Sequence, residues 1–224
     1  MSQDDIFMSD EGNQWFKRNR DAIVDQNQFD WPIKIIETLK EKEKIGRILE
    51  LGCANGWRLA RIKDMFQENV ELYGSDASKE AITDGMSRYP DLRLKQGLLS
   101  QIPFDLMFDL VIVNFVFCWV DRKSLVKSIA EIDRVICDQG LLIVGDFLPD
   151  FPQKRPYHHL PGQNVFTYKQ DYANIFKAIG TYSEIFRVTS NHDRPNQYLG
   201  GTPSDERWCC CLLQKCLDGY YLKT

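Results

Sequence analysis

One stretch decides the fold of this chain, and it reads Arg47-Ile48-Leu49-Glu50-Leu51-Gly52-Cys53-Ala54-Asn55-Gly56-Trp57. The apolar residues before Gly52 predict a short buried strand, the segment from Gly52 to Gly56 predicts a turn too tight for large side chains, and Trp57 begins a helix. A strand, a turn and a helix in this order direct free backbone N–H groups and a helix N-terminus towards a ligand above the turn. The stretch therefore predicts an α/β protein with a nucleotide-like cofactor.

The glycine spacing narrows the class of cofactor. A dinucleotide-binding turn requires G-x-G-x-x-G, whereas this turn has Glu50 followed by Gly52-x-x-x-Gly56. It resembles motif I of the class I S-adenosylmethionine (SAM) methyltransferases, commonly E/D-x-G-x-G-x-G, with Ala54 in place of the middle glycine. A plain strand-to-helix turn of another α/β protein is the alternative. The resemblance implies a seven-stranded, mostly parallel, doubly wound sheet with a final antiparallel strand, and a SAM site that includes Glu50, Gly52, Cys53, Ala54 and Gly56.

The next two predicted strands also end in candidate cofactor residues. The second strand, Val70–Asp76, ends in an acid 24 residues beyond Gly52. Folds of this kind place a carboxylate near this spacing to accept hydrogen bonds from both ribose hydroxyls, although an aspartate before a helix also serves as a cap. The third strand, Leu92–Gly97, precedes Leu98 and Leu99. In the methyltransferases that this region resembles, an aspartate at the first of these positions faces adenine, so the resemblance implies adenine contacts from Leu98, Leu99 and backbone groups.

Phe108–Asn114 is a near-continuous apolar run, as expected for a central parallel strand. The residues that follow, Phe115–Asp121, resemble the His-Trp-Val-x-Asp segment of methyltransferases of quinone and biotin biosynthesis, with Cys118 in place of the histidine. A helix, Arg122–Cys137, ended by Gly140, and a fifth strand, Leu141–Asp146, are predicted next. By the same resemblance, the cofactor site also includes Ala77, Asn114 and Phe115.

The N-terminal segment is predicted to reach over this site. Residues 1–12 are polar and are expected to fray, whereas Glu11–Ile23 predicts a short helix with an aromatic face and three basic residues. As a lid, this helix would set Trp15 against the sulfonium, and Arg18 or Arg20 against the methionyl carboxylate. A terminal helix that only packs on the domain is the alternative, and the two roles are compatible.

From Phe147 to Thr167, prolines and a glycine interrupt any regular pattern. This segment leaves the C-terminal end of a parallel strand, where open α/β sheets bind ligands, and it predicts an irregular cap over the methyl acceptor. It carries His158 and His159, and a histidine suits the removal of a proton from an acceptor hydroxyl. We therefore expect one of them to be the general base of an O-methyl transfer, with a surface pair as the alternative. Tyr168 and Asp146 are the next candidates.

The rest of the chain predicts a helix, Lys169–Ile179, and a closing pair of strands, Tyr182–Ser190 and Arg207–Leu213. The whole of 1–224 is expected to form one methyltransferase domain. Its parts are the N-terminal helices and lid (1–45), a SAM-binding core (46–146), an acceptor cap loop (147–168), and a C-terminal helix and strand pair (169–224).

Composition limits the classes of partner. With 28 basic and 32 acidic residues, the net charge is −4, which does not favour a nucleic acid. No apolar run approaches the roughly 18 residues of a membrane span, and no signal peptide is expected. The seven cysteines include no C-x-x-C pair, so we expect no metal site, and reduced thiols in a cytoplasm.

The acceptor is expected to be a small molecule, such as a sugar, a quinone-like compound or a secondary metabolite. The sequence leaves open whether oxygen, nitrogen or carbon is methylated, and which oligomeric state the protein adopts. Two other classes of function are weighed against methyl transfer. One is a nucleotide-binding oxidoreductase, disfavoured by the missing G-x-G-x-x-G, and the other is a non-catalytic methyltransferase-like subunit.

Overall fold

The computed structural model describes residues 1–24, 29–66, 68–194 and 202–218. Its helices are α1 (Gln3–Ile6), α2 (Gly12–Val24), α3 (Trp31–Thr38), α4 (Trp57–Ile62), α5 (Lys79–Arg88), α6 (Leu125–Val135) and α7 (Ala173–Ile179). Its strands are β1 (Arg47–Leu51), β2 (Glu71–Asp76), β3 (Arg93–Gln96), β4 (Phe108–Asn114), β5 (Ile136–Phe147), β6 (Gln153–Pro156), β7 (Phe166–Lys169), β8 (Tyr182–Asn191) and β9 (Arg207–Lys215). A π-helical turn, Phe7–Glu11, joins α1 to α2.

The main sheet has the strand order β3-β2-β1-β4-β5-β9-β8. Neighbouring strands from β3 to β5 are parallel, and β9 runs antiparallel to both β5 and β8. The antiparallel strand is the last in sequence, but it lies between β5 and β8 in space. Within the described ranges, the seven-stranded, mostly parallel sheet with a final antiparallel strand is therefore confirmed.

Helices cover both faces of this sheet. Successive side chains of a strand point to opposite faces, so Leu49 of β1 packs in a cluster with residues of α6 and α7, whereas its neighbour Ile48 packs with residues of α3, α4 and α5. The consecutive cysteines of β9 divide in the same way, with Cys209 and Cys211 on one face and Cys210 on the other. The sheet is thus doubly wound, and its loops meet at its edges.

The first residues form a helix, so the expectation that residues 1–12 fray is wrong. The side chain of Gln3 is buried, and its Nε2 donates to the carbonyl oxygens of Trp119 (2.7 Å) and Phe166 (2.8 Å). Its Oε1 accepts from the N–H of Phe166 at 2.9 Å. These three bonds attach the chain's start to the segment after β4 and to the cap, because a buried amide side chain needs partners.

The cap is more regular than its prolines suggest. β6 and β7 pair antiparallel and form a two-stranded ribbon, which corrects the expectation of an irregular loop. Pro152 precedes the ribbon and Pro156 ends its first strand, positions at which a missing N–H removes no interior ladder bond. Because Lys169 completes β7, α7 begins at Ala173 rather than at Lys169.

The boundary between α6 and β5 also differs from the prediction. The helix ends at Val135, and the strand begins at Ile136. Gln139 has a left-handed backbone (φ +64°), and the pairing of β4 with β5 shifts register at this end. Gly140 therefore lies within the strand and does not end the helix.

Two further observations apply to the described part of the chain. It contains no helix long and apolar enough to cross a membrane. It also contains no group of three or more His, Cys, Asp and Glu side chains arranged to hold a metal ion.

Candidate active site

A cavity of about 430 Å³ opens at the carboxyl ends of β1, β2 and β4, below the N-terminal helices. Open α/β sheets bind ligands at this edge, where the strand order reverses, and here the reversal lies between β1 and β4. The volume falls in the range of small-molecule pockets. The walls come from the N-terminal helices, the ends of the parallel strands and the end of the β8–β9 pair, and include Phe7, Trp15, Asn19, Gly52, Ala54, Asp76, Leu98, Asn114, Phe115, Trp119, His192 and Trp208.

The turn after β1 gives the cavity its floor. Its backbone is left-handed at Gly52 (φ +74°), Ala54 (φ +50°) and Gly56 (φ +80°). A Cβ atom on Gly52 would lie 2.2 Å from Val116 Cγ2, so only glycine fits there. Ala54 holds the same backbone conformation at a cost of about 1–2 kcal/mol.

The N–H groups of this turn bind the protein itself. Those of Gly52 and Cys53 donate to the carbonyl oxygen of Ser75 (2.7 and 3.1 Å), and that of Gly56 donates to the carbonyl oxygen of Cys53 (2.8 Å). The expectation that they point freely at a ligand is therefore wrong for these three groups. The turn contributes room for a ligand and contributes no donors at these positions.

Asp76, at the end of β2, brings a carboxylate into the cavity wall. Its Oδ2 accepts from the N–H of Ala54 and its Oδ1 from the N–H of Ser78, both at 2.8 Å. Burial raises the pKa of Asp76, and the two N–H donors oppose that rise. The alternative role of helix cap belongs to Ser78, whose hydroxyl accepts from the N–H of Ala81. A carboxylate has about four acceptor positions, so Asp76 keeps capacity for two hydroxyl donors.

Glu50, the acid of the motif, lies beneath the cavity instead of in its wall. It is 1% exposed and forms an ion pair with Arg58, whose guanidinium also lies 2.9 Å from Asp30. Burial raises the pKa of Glu50, and the Arg58 guanidinium opposes that rise. Because Arg58 and Asp30 line the cavity, Glu50 acts on the site by holding these two side chains in place.

Some of the remaining predicted cofactor residues line the cavity, and the others lie behind its wall. Cys53 is 1% exposed behind the turn, and Gly56 faces the apolar side chains of Leu92 and Leu94. The Oδ1 of Asn114 is buried without a partner among the described residues, so a ligand donor would satisfy it. These features fit a nucleoside-like ligand. The predicted residues that do line the cavity are Trp15, Gly52, Ala54, Asp76, Ala77, Leu98, Leu99, Asn114 and Phe115.

The two arginines predicted to bind the methionyl carboxylate are paired elsewhere. Arg20 Nη2 lies 2.7 Å from Asp84 Oδ1 on the surface of α5, and Arg18 forms an ion pair with Glu11. Glu11 is 2% exposed and also accepts from the Tyr157 hydroxyl at 2.7 Å. Arg18 therefore compensates a buried acid, and the structure brings neither arginine to the cavity. The N-terminal helices contribute aromatic and amide side chains to the wall instead.

The predicted bases lie outside the cavity wall. The rings of His158 and His159 contact each other (3.8 Å between centroids) and the ring of Tyr157 (5.7 and 5.4 Å). Burial lowers the pKa of His159, and nearby Arg18 and His158 lower it further. Since Tyr157 packs against Phe7 and Trp119 of the wall at 5.8 and 6.1 Å, both imidazoles stand one residue away from the cavity.

The next two candidates for the general base, Asp146 and Tyr168, also lie away from the cavity. Asp146 is buried and accepts from the N–H groups of Phe147 (2.8 Å) and Cys118 (3.1 Å), and burial raises its pKa to about 7. Burial also raises the pKa of Tyr168, whose ring lies 4.2 Å from the Arg122 guanidinium. Both side chains lie outside the cavity wall described above.

His192 reaches the cavity, although its neighbourhood in the sequence is a polar turn. β8 runs parallel to β1–β5, so its carboxyl end, which His192 follows, shares the cavity edge. The N–H of His192 donates to the carbonyl oxygen of Glu206 at 2.8 Å, which extends the pairing with β9. No local sequence signal identifies this residue, because its position at the cavity depends on the direction of β8 in the sheet.

Comparisons with known proteins agree with this geometry. The sequence model of the methyltransferase-domain family matches residues 48–140. A demethylmenaquinone methyltransferase of Beutenbergia cavernae is 29% identical over 154 residues, which are 67% of this chain and 60% of the relative. The chain thus spans about 60% of the length of this curated relative.

Solved structures share the fold. A SAM-dependent methyltransferase from Clostridium acetobutylicum aligns with a TM-score of 0.60 and 14% identity, covering 92% of this chain and 98% of that one. The N-methyltransferase NodS from Bradyrhizobium japonicum, solved with S-adenosylhomocysteine (SAH), aligns with a TM-score of 0.57 and 15% identity, covering 92% and 99%. With the strand order observed here, the chain has the fold of the class I SAM-dependent methyltransferases, and its residues 48–140 are similar in sequence to the methyltransferase-domain family.

Proposed function

We propose that this protein transfers the methyl group of SAM to a hydroxyl group of a small, ring-containing acceptor. The observation that carries the proposal is one cavity whose two ends differ in chemistry. Asp76, Leu98 and Leu99 line it beside β2 and β3, and Phe115 and Trp208 line it beside β4 and β9, which lie on the other side of β1 in the sheet. The first set suits a nucleoside, and the second suits a flat apolar ring.

The cofactor end would bind SAM through three kinds of contact. The Asp76 carboxylate has two acceptor positions left for the ribose hydroxyls, and Leu98 and Leu99 offer apolar contact to adenine. The unpaired Oδ1 of Asn114 would accept a hydrogen bond from the amino group of the methionyl part of SAM. When bound, SAM supplies a sulfonium methyl group that a nucleophile can attack. The protein contributes alignment and the exclusion of water.

The acceptor end is built from aromatic rings that meet near the ends of β4, β5 and β9. The ring of Phe115 lies 5.2 Å from that of Trp208 and 5.3 Å from that of Phe147. Rings at these separations offer edge and face contacts to another ring. Across the cavity, Trp15 packs edge-on against Trp119 at 6.1 Å, so aromatic groups enclose the ligand from the lid side as well.

The relative from Beutenbergia cavernae gives independent support for a ring acceptor, because it is named for demethylmenaquinone, a quinone. The same name raises a second candidate function, which is transfer to a ring carbon. Both reactions need a ring held beside the sulfonium methyl group, with the hydroxyl oxygen in line with it in the first case and a ring carbon in the second. They differ in the product, since one yields a methoxy group and the other a C-methyl group.

The test begins with cofactor binding. Isothermal titration calorimetry should show binding of SAM and SAH and no binding of NADH, and Asp76→Ala should weaken the first two. Asp105→Ala, at a fully exposed aspartate outside the cavity wall, serves as the matched control. Binding of NADH in place of SAM would favour an oxidoreductase and contradict the proposal.

Turnover then separates an enzyme from an inert subunit. Release of SAH would be measured with catechol, a naphthoquinol and a monosaccharide as acceptors, and the product would be assigned by NMR. We expect a methoxy signal from at least one ring hydroxyl. Tight SAM binding without turnover on any acceptor would instead indicate a non-catalytic subunit.

A further inference from the structure

The structure holds one imidazole in the cavity wall, that of His192, in a fixed orientation. Its ring stacks on Phe147 (5.1 Å between centroids, 27° between planes) and meets Phe115 edge-on (5.1 Å, 83°). Its backbone is bonded to β9 through Glu206. Rings on two sides and a paired backbone leave the imidazole little freedom to turn.

Asp193 decides which ring nitrogen is left for a ligand. His192 Nδ1 lies 2.9 Å from Asp193 Oδ1, so Nδ1 carries the proton when the ring is neutral, because a carboxylate accepts only. The free lone pair is then on Nε2. A histidine whose far nitrogen is bonded to a carboxylate is the arrangement in which general bases are held in one tautomer.

The groups around this imidazole have separate partners. Lys169 Nζ lies 4.0 Å from the Phe147 ring centroid and donates to the carbonyl oxygen of Asp205 at 2.7 Å. Burial lowers the pKa of Lys169. Asp193 is thus the carboxylate that contacts the ring, and no other side chain described here forms a hydrogen bond with His192.

We propose that His192 is the general base for the acceptor hydroxyl and that Asp193 is its positioning residue. This inference rests on the proposed function and replaces His158 and His159 in that role. The hydroxyl oxygen forms a bond to the methyl carbon as the carbon–sulfur bond breaks, and that bonding pair stays on sulfur to give SAH. The hydroxyl proton moves to Nε2, and His192, whose side chain is 42% exposed, then releases it to water.

The alternative is that His192 only packs against the aromatic rings. Loss of a general base and loss of a packing group affect the rate differently when the acidity of the acceptor hydroxyl is varied. Phenol keeps its proton at neutral pH, whereas 4-nitrophenol is largely ionised slightly above neutral pH. A base is needed for the first acceptor and hardly for the second, while a packing role would affect both alike.

The experiment therefore compares His192→Gln with wild type on catechol, phenol and 4-nitrophenol, with SAH release as the readout. We expect kcat on the un-ionised acceptors to fall by about 100- to 10,000-fold, the rate on 4-nitrophenol to change little, and SAH affinity to be unchanged. His158→Gln is the matched control and should behave as wild type. Asp193→Asn should lower kcat less than His192→Gln, and it should alter the His192 tautomer populations seen by ¹⁵N NMR.

Four outcomes would overturn the inference. An equal loss on ionised and un-ionised acceptors would assign His192 to packing, and an unchanged kcat would remove it from the reaction. If SAH binds but no acceptor is methylated even by the wild type, the proposed function itself fails and the inference fails with it. A loss of kcat in His158→Gln but not in His192→Gln would assign the general base to the cap.

Discussion

Replacing Gly52 by alanine tests whether the turn after β1 is shaped by steric contact. Two separate costs are expected. The left-handed backbone (φ +74°) costs an alanine about 1–2 kcal/mol. The new Cβ would lie 2.2 Å from Val116 Cγ2, and overpacking of this kind adds about 1–3 kcal/mol. Gly52→Ala should therefore lower the free energy of unfolding by about 2–5 kcal/mol.

Two matched variants separate these costs. Gly180 has a similar backbone (φ +87°), but a Cβ there would meet nothing within 4 Å, so Gly180→Ala should show the backbone cost alone. Val116→Ala removes the methyl carbons that the new Cβ of Gly52→Ala would meet. The double variant should then recover the packing part, with a coupling free energy of about 1–3 kcal/mol.

Urea unfolding followed by tryptophan fluorescence gives the free energies, and calorimetry gives the SAH affinity of each variant. Gly52→Ala should also bind SAH more weakly, because Gly52 and Val116 both line the cavity. If Gly52→Ala costs no more than Gly180→Ala, or if Val116→Ala rescues nothing, the contact with Val116 does not shape the turn. In that case the cavity floor is held by other contacts.

Three further predictions concern charged and polar groups. Asp76→Ala should weaken SAM binding by about 1.5–3 kcal/mol in calorimetry, the range for hydrogen bonds to a charged group, and unchanged affinity would refute a ribose contact. Tyr157→Phe leaves the buried Glu11 without one donor, so chemical denaturation should show a loss of about 1–3 kcal/mol, and an unaltered midpoint would contradict this. Since burial raises the pKa of Asp146 to about 7, the folded protein holds a proton that the unfolded chain releases near pH 4. The stability gained from binding this proton is lost as pH rises from about 4 to 7. The free energy of unfolding of the wild type should therefore fall relative to that of Asp146→Asn by up to about 1.4 kcal/mol per pH unit. A difference between the two proteins that does not change with pH would refute this prediction.

The sheet was predictable because local patterns determine it. A parallel strand buried on both faces must be apolar along its length, as Phe108–Asn114 is, and the acid at the end of Val70–Asp76 follows from the spacing to the turn. Each of these signals spans at most about 25 residues of the sequence. They also predicted residues that line the cavity, such as Asp76 and Asn114.

The failures share one physical cause, which is that a polar side chain's partner can be far away in sequence. The residues around Arg20 do not identify its acidic partner, because that partner, Asp84, is 64 positions away. The Tyr157 hydroxyl likewise donates to Glu11 across 146 positions. His192 stands at the cavity because of the direction of β8 in the sheet, and no local pattern reports that direction. Ion pairs and strand direction are therefore the two features that the local sequence does not predict.

The cavity walls differ in how they are held, and this difference bears on ligand entry. The strand-end residues rest on the two large apolar clusters of the sheet, whereas α2 adds only a small cluster that contains Phe16 and Ile23. The N-terminal helices are also held by the buried hydrogen bonds of Gln3 and Glu11 and by exposed pairs such as Lys17 with Glu80 at 2.9 Å, and the exposed pairs contribute about 0–1 kcal/mol each. Opening of the N-terminal wall therefore costs less than unfolding of the sheet. We therefore expect the N-terminal wall, with Trp15, to open more readily than the floor when a ligand enters.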